Sequence, residues 1–158
     1  MKLEPGHPFE PWNVDAVRYA EFGAPLYVIA PPAEPTLMGW SWETHGSVPI
    51  FGEAGYLTEA GVPLRVRTWA SLPEGAHAAI AAHSADLIAN AEAGTSALHG
   101  EHDATVVVSG RPVPARAWAL GRFQFVALTL ASRLVTVAHP ATSDPPALTT
   151  LDRWPQRE

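Results

Sequence analysis

Apolar and polar positions along this chain change their period several times, and each change marks an element. In LRVRTWA (64–70), Leu64, Val66 and Thr68 share one parity while Arg65 and Arg67 share the other, as in a strand with unlike faces. In RFQFVALTL (122–130), Phe123, Phe125 and Ala127 alternate with Val126, Leu128 and Leu130, so both faces are greasy. That pattern suits a strand inside a sheet covered on both sides. RLVTVA (133–138) then returns antiparallel after a turn at Ala131-Ser132. Pro25, Pro49, Pro63 and Pro114 each stand before a greasy or alternating run. Proline lacks an amide hydrogen and is tolerated at the first residue of a strand or on a sheet margin. GYLTEAGVPLRVRTWA reads as a hairpin turning at Glu59-Ala60-Gly61, and TVVVSGRPVPARAWAL as another turning at Ser109-Gly110.

Helical spacing is clearest between these hairpins, over about residues 75–93, ended by Gly94. Ala76, Ile80, Leu87 and Ala91 fall on one face, with Ser84 beside them. A shorter helix is predicted over VDAVRYAEF, with Asn13 as its cap, Val14, Val17 and Phe22 as its apolar side, and Gly23 just past its end. The Pro-rich end PATSDPPALTTLDRW predicts a further short helix capped by Ser143 or Asp144, lining Leu148, Leu151 and Trp154 along one edge. The sum is an α+β domain: a mainly antiparallel sheet of about six strands, one long helix packed on it, and short N- and C-terminal helices. The expected organisation is an extended Pro-rich arm (1–12), a single domain (13–139) and a Pro-rich tail (140–158).

Composition narrows the chemistry. Length 158 suits one domain, and 47% hydrophobic residues supply core material. A net charge of −6 with ten basic residues leaves no broad basic field for nucleic acid or anionic lipid. The absence of cysteine removes disulfides and thiolate chemistry, so a metal site must draw on His, Asp and Glu. The first residues lack the apolar stretch of a signal peptide, and Gln124 and Arg133 interrupt the greasiest segment. A soluble, cytoplasmic protein without a membrane span is expected. No Gly-rich phosphate loop follows a strand, which argues against a nucleotide fold.

Four groups of residues carry candidate chemistry. His99, Glu101, His102 and Asp103 crowd one short stretch. His99, His102 and Asp103 could hold a divalent metal if His45, His83 or His139 supplied a further ligand, although a polar loop between helix and strand is the preferred reading of the same stretch. Trp40 and Trp42 share a parity opposite Glu43 and His45, and serve either as a stacking platform or as core. His83, Asp86 and Asn90 form one helical stripe that offers an acid–base pair or a surface hydrogen bond. Arg65, Arg67 and Arg116 suggest an anion clamp or a solvated strand face. Six Trp, the acidic balance and the two Pro-rich ends favour a protein-binding accessory, adaptor or inhibitor-type domain without catalytic activity or cofactor. Trp40, Trp42 and Trp154 are its candidate contact residues, and self-association through an exposed strand is a related expectation. The alternatives are a metal-assisted or general acid–base enzyme at His99/His102/Asp103, and a small-molecule binder on Trp40/Trp42.

Overall fold

The computed structural model describes residues 11–23, 25–31, 35–46, 48–70, 76–89, 98–130 and 133–151. Residues 1–10 of the predicted N-terminal arm, the turn at 131–132 and Trp154 lie outside them, and the arm's last two residues, Pro11 and Trp12, are helical instead of extended. Two helices and nine strands run in the order α1 (Pro11–Phe22), β1 (Leu26–Ile29), β2 (Thr36–His45), β3 (Val48–Leu57), β4 (Pro63–Trp69), α2 (Ala76–Ala89), β5 (His99–Val108), β6 (Arg111–Leu120), β7 (Phe123–Leu130), β8 (Arg133–Pro140) and β9 (Leu148–Leu151). The strands form one sheet in the order β1-β9-β5-β6-β7-β8-β4-β3-β2. Neighbours are antiparallel except β5 and β9, which meet in parallel through the single pair Val108↔Leu148.

This is a mostly β, curled half-barrel, so the expected α+β sheet of six strands under a long helix is corrected. Two stretches account for much of the difference. LTTL, expected in a terminal helix, is β9. Its paired β-branched threonines suit a pleated strand, and it is held antiparallel to β1. HGEHD, expected to connect helix to strand, is already β5. The strand absorbs its glycine as an irregularity between His99 and His102, with Gly100 at φ 69°. α2 is described over Ala76–Ala89, the rest of its expected span to residue 93 lying outside the described residues, and α1 begins at Pro11, ahead of the expected Asn13 cap. Gly23 does end α1, at φ 73°.

The hairpins predicted at Glu59-Ala60-Gly61 and Ser109-Gly110 form, and β7 and β8 pair antiparallel as expected. The β5–β6 turn sits at Ser109 (φ 49°) and Gly110 (φ 81°). Two successive left-handed residues give the turn a twist that matches its strands.

Each face of the sheet has its own core. The concave face is rich in small and β-branched residues, including Ala54, Val66, Val106, Ala117, Val126, Val135 and Val137. The convex face holds Phe51, Trp69, Trp118, Phe123 and Phe125, covered in part by Ala79 and Ile80 of α2. Smaller side chains fit the inside of a bend and larger ones its outside. Curling brings β1 over β4. There the Tyr27 amide donates to Thr68 Oγ1 (3.0 Å) and the Ile29 amide to the Tyr56 hydroxyl (3.2 Å). Side-chain oxygens on the concave face thus satisfy backbone groups that a tenth strand would otherwise pair. α1 ties two distant strands together, with Tyr19 donating to the Leu151 carbonyl (2.7 Å) and Trp42 Nε1 to Asp15 (2.9 Å). Phe22 is buried against Trp42, whereas Val17, expected on the apolar side, is exposed.

Candidate functional site

Strand alternation places three cross-strand rows on the convex face. One reads Ser41–Glu53–Arg67–Thr136, the next Gly39–Gly55–Arg65–Ala138, and the third Glu43–Phe51–Trp69. The first row becomes a buried polar network once α2 docks over part of it. Arg67 Nε donates to Glu53 Oε1 (3.0 Å), and its Nη2 donates to Asp86 of α2 (2.7 Å). The guanidinium carbon lies 3.8 Å from the centre of the Phe51 ring. Arg65 Nη1 stands 3.5 Å from the other carboxylate oxygen of Glu53.

His83 completes the network. Its Nδ1 is 2.9 Å from Thr136 Oγ1, which also accepts a hydrogen bond from Trp69 Nε1 (3.0 Å). Its Nε2 is 2.8 Å from Glu53 Oε1, but out of line for a hydrogen bond. One protonation pattern satisfies these contacts: the Thr136 hydroxyl donates to Nδ1, and the proton on Nε2 faces the carboxylate. Burial, the largest influence on His83, pushes its pKa below the ordinary 6.5 against the pull of Glu53. Burial pushes Glu53 upward, but His83, Arg67 and Arg65 outweigh it and hold the carboxyl at about 2.

Hydroxyl, imidazole and carboxylate in this sequence have the connectivity of an activated nucleophile. Their placement gives them a different task. Thr136, His83 and Glu53 are 0%, 1% and 4% exposed, so no substrate reaches the hydroxyl in this conformation. The network anchors α2 to the sheet. His83 and Asp86 therefore meet different partners across the sheet and do not pair as an acid–base couple with each other. Arg65 and Arg67 do share a face, as their alternation predicts, but Arg67 is buried rather than solvated. Sequence reasoning did not single out Glu53 or Thr136. The available signal was a lone acid in the apolar strand VPIFGEAGYL, at the parity of Phe51.

The margin formed by β2 presents different chemistry. Trp40 and Trp42 do share a face: they stack with ring centres 6.0 Å apart on the concave side. Trp42 also meets Phe22 edge-on and bonds Asp15. On the opposite face, Gly39 and Gly55 face each other and leave a strip of bare backbone. Met38, Ser41, Leu57, Pro63 and Arg65 surround that strip in a depression of about 290 Å³. Leu37 and Met38 are 46% and 65% exposed. Irregularities at Leu37/Gly39 and Glu43/Thr44 bracket a regular stretch, Gly39–Glu43.

His99, His102 and Asp103 are exposed along β5 and do not converge. Asp103 bonds Arg116, whose other branch reaches Glu101 (3.1 Å), while His102 Nδ1 is 2.7 Å from the Gly100 carbonyl. Among the described residues no three His, Asp or Glu side chains gather as a metal site. No described helix is long and apolar enough to cross a membrane. No protein-family model, curated protein or solved structure matches the chain.

Proposed function

We propose that this chain is a protein-binding module that accepts an extended segment of a partner alongside β2. The observation that carries this reading is the contrast between the two margins of the sheet. At β1, Thr68 and Tyr56 cap backbone amides from within, whereas ten-residue β2 has β3 as its one strand neighbour among the described residues. A strand margin is recognised by another extended backbone, and pockets beside it select alternate side chains. The Gly39–Gly55 depression, with Met38, Leu57 and Pro63 around it, suits one apolar side chain of the added strand. The irregularities that bracket Gly39–Glu43 limit the register to about five residues. That favours a short segment over unrestricted pairing of whole sheets.

A displayed library of ten-residue peptides, panned against the full chain, tests the proposal. Bound peptides should slow amide exchange along residues 37–43 and share an apolar residue. Gly39→Ile should abolish their binding while leaving the fold intact, because a Cβ at Gly39 meets nothing within 4 Å. Peptides that bind equally well to Gly39→Ile, or that protect another surface, would overturn the reading.

A further inference from the structure

A second opening lies far along the sheet from β2. Because β5 and β9 share a single residue pair, the first half of β5 has the β8–β9 connection beside it instead of a strand. Between them lies a groove of about 580 Å³, lined by His102, Thr105, Gln124, Thr142, Ser143 and Asp144. Its size falls within the range of small-molecule sites.

The connection is held in place. The Ala141 amide donates to the Arg122 carbonyl (2.8 Å), and the Ser143 amide and hydroxyl both donate to the Pro140 carbonyl (3.2 and 3.1 Å). The Ala147 carbonyl accepts from the Ala30 amide (2.8 Å).

The wall is rich in acceptors. His102 Nδ1 faces the Gly100 carbonyl and must carry the proton there, leaving Nε2 with a lone pair in the neutral ring. The Ser143 hydroxyl proton is committed to Pro140, so its oxygen also accepts. Asp144 contributes a carboxylate, and among the described residues no lysine or arginine lines the groove. Gln124 has His139 as its cross-strand partner. His139 is fully buried. Its Nδ1 donates to the Pro140 carbonyl (2.9 Å), and its Nε2 has no hydrogen-bond partner.

We infer that this groove binds a protonated primary amine, with Asp144 as the counter-charge and His102, Gln124 and the hydroxyls as acceptors. An ammonium group carries three donors and no acceptor, which complements such a wall, and the acidic chain draws cations toward it. Anionic ligands find no counter-charge among the described residues of the groove. Both a free diamine and a lysine side chain present this group.

Titration of the full chain, followed by amide NMR and calorimetry, separates these cases. Putrescine should bind saturably and shift the resonances of residues 102–105, 124 and 142–144. 1,4-Butanediol, equal in length but uncharged, should not. Asp144→Asn should weaken putrescine binding about tenfold without changing the melting temperature, since the side chain is exposed. A lysine-containing tripeptide that binds more tightly than putrescine would identify a protein side chain as the natural occupant, and the reverse would identify a free amine. Equal binding of butanediol, undiminished binding to Asp144→Asn, or no saturable binding of either amine would overturn the proposal.

Discussion

Gly52 shows how little slack single residues have on the concave face. A Cβ there would lie 2.8 Å from Trp42 Cζ3 and 2.9 Å from Leu26 Cδ2, so β3 can pass beneath α1's indole contact because it has no side chain at that point. Gly52→Ala should cost about 1–3 kcal/mol in denaturant unfolding, with the loss coming from overpacking. Glu53 poses the opposite case. Glu53→Gln leaves the buried Arg67 guanidinium with Asp86 as its remaining carboxylate and should cost about 2 kcal/mol by the same measurement. Acid should weaken the fold in two stages. His83 and His139 are held below 6.5 by burial, so the unfolded chain takes up their protons first and stability declines as pH falls below 6.5. Glu53 is held at about 2 against an ordinary 4.5, so its contribution is complete above 4.5 and is lost as pH falls toward 2. Denaturant midpoints measured from pH 8 to pH 3 should show both stages, and His139→Gln should flatten the upper one. Strand parity alone placed Arg65 and Arg67 on one face, but it could not show that α2 would cover Arg67. That outcome depends on which strand lies beside β4.

At the scale of elements, hairpins were legible because their signals are local. Gly61 and Ser109-Gly110 turn the chain where positive φ is needed, and the flanking alternation fixes which face is buried. β9 was not legible. LTTL is too short to show a period, and its partners β1 and β5 are remote in sequence, so the prolines before it pointed instead to a helix start. The buried side of α2 was legible only in part. Ile80 and Ser84 lie on it as expected, but Ala79 and His83 do too, which centres the stripe on a polar ring the sheet can satisfy. The seam at β1 gives a prediction at this scale. Thr68→Val removes the acceptor for the Tyr27 amide and should cost about 1–2 kcal/mol. Amide exchange at Tyr27 should accelerate, while exchange in β7 and β8 stays slow.

For the whole molecule, the sequence implied an antiparallel sheet covered on both faces but not its extent. Nine strands stand where about six were expected, and together they curl into a half-barrel. The Trp40/Trp42 pair was placed correctly on one face, and the geometry spends much of that face on packing. The seam that joins β1 to β9 has a kinetic consequence. It brings together strands from opposite ends of the described chain, so it can close only after almost everything between them is ordered. β9 meets β5 at one residue pair, so on that side the ribbon lacks the continuous strand ladder that holds the rest of the sheet. The β1–β9 ribbon should therefore be the last part of the molecule to zip up on refolding and the first to peel away under force.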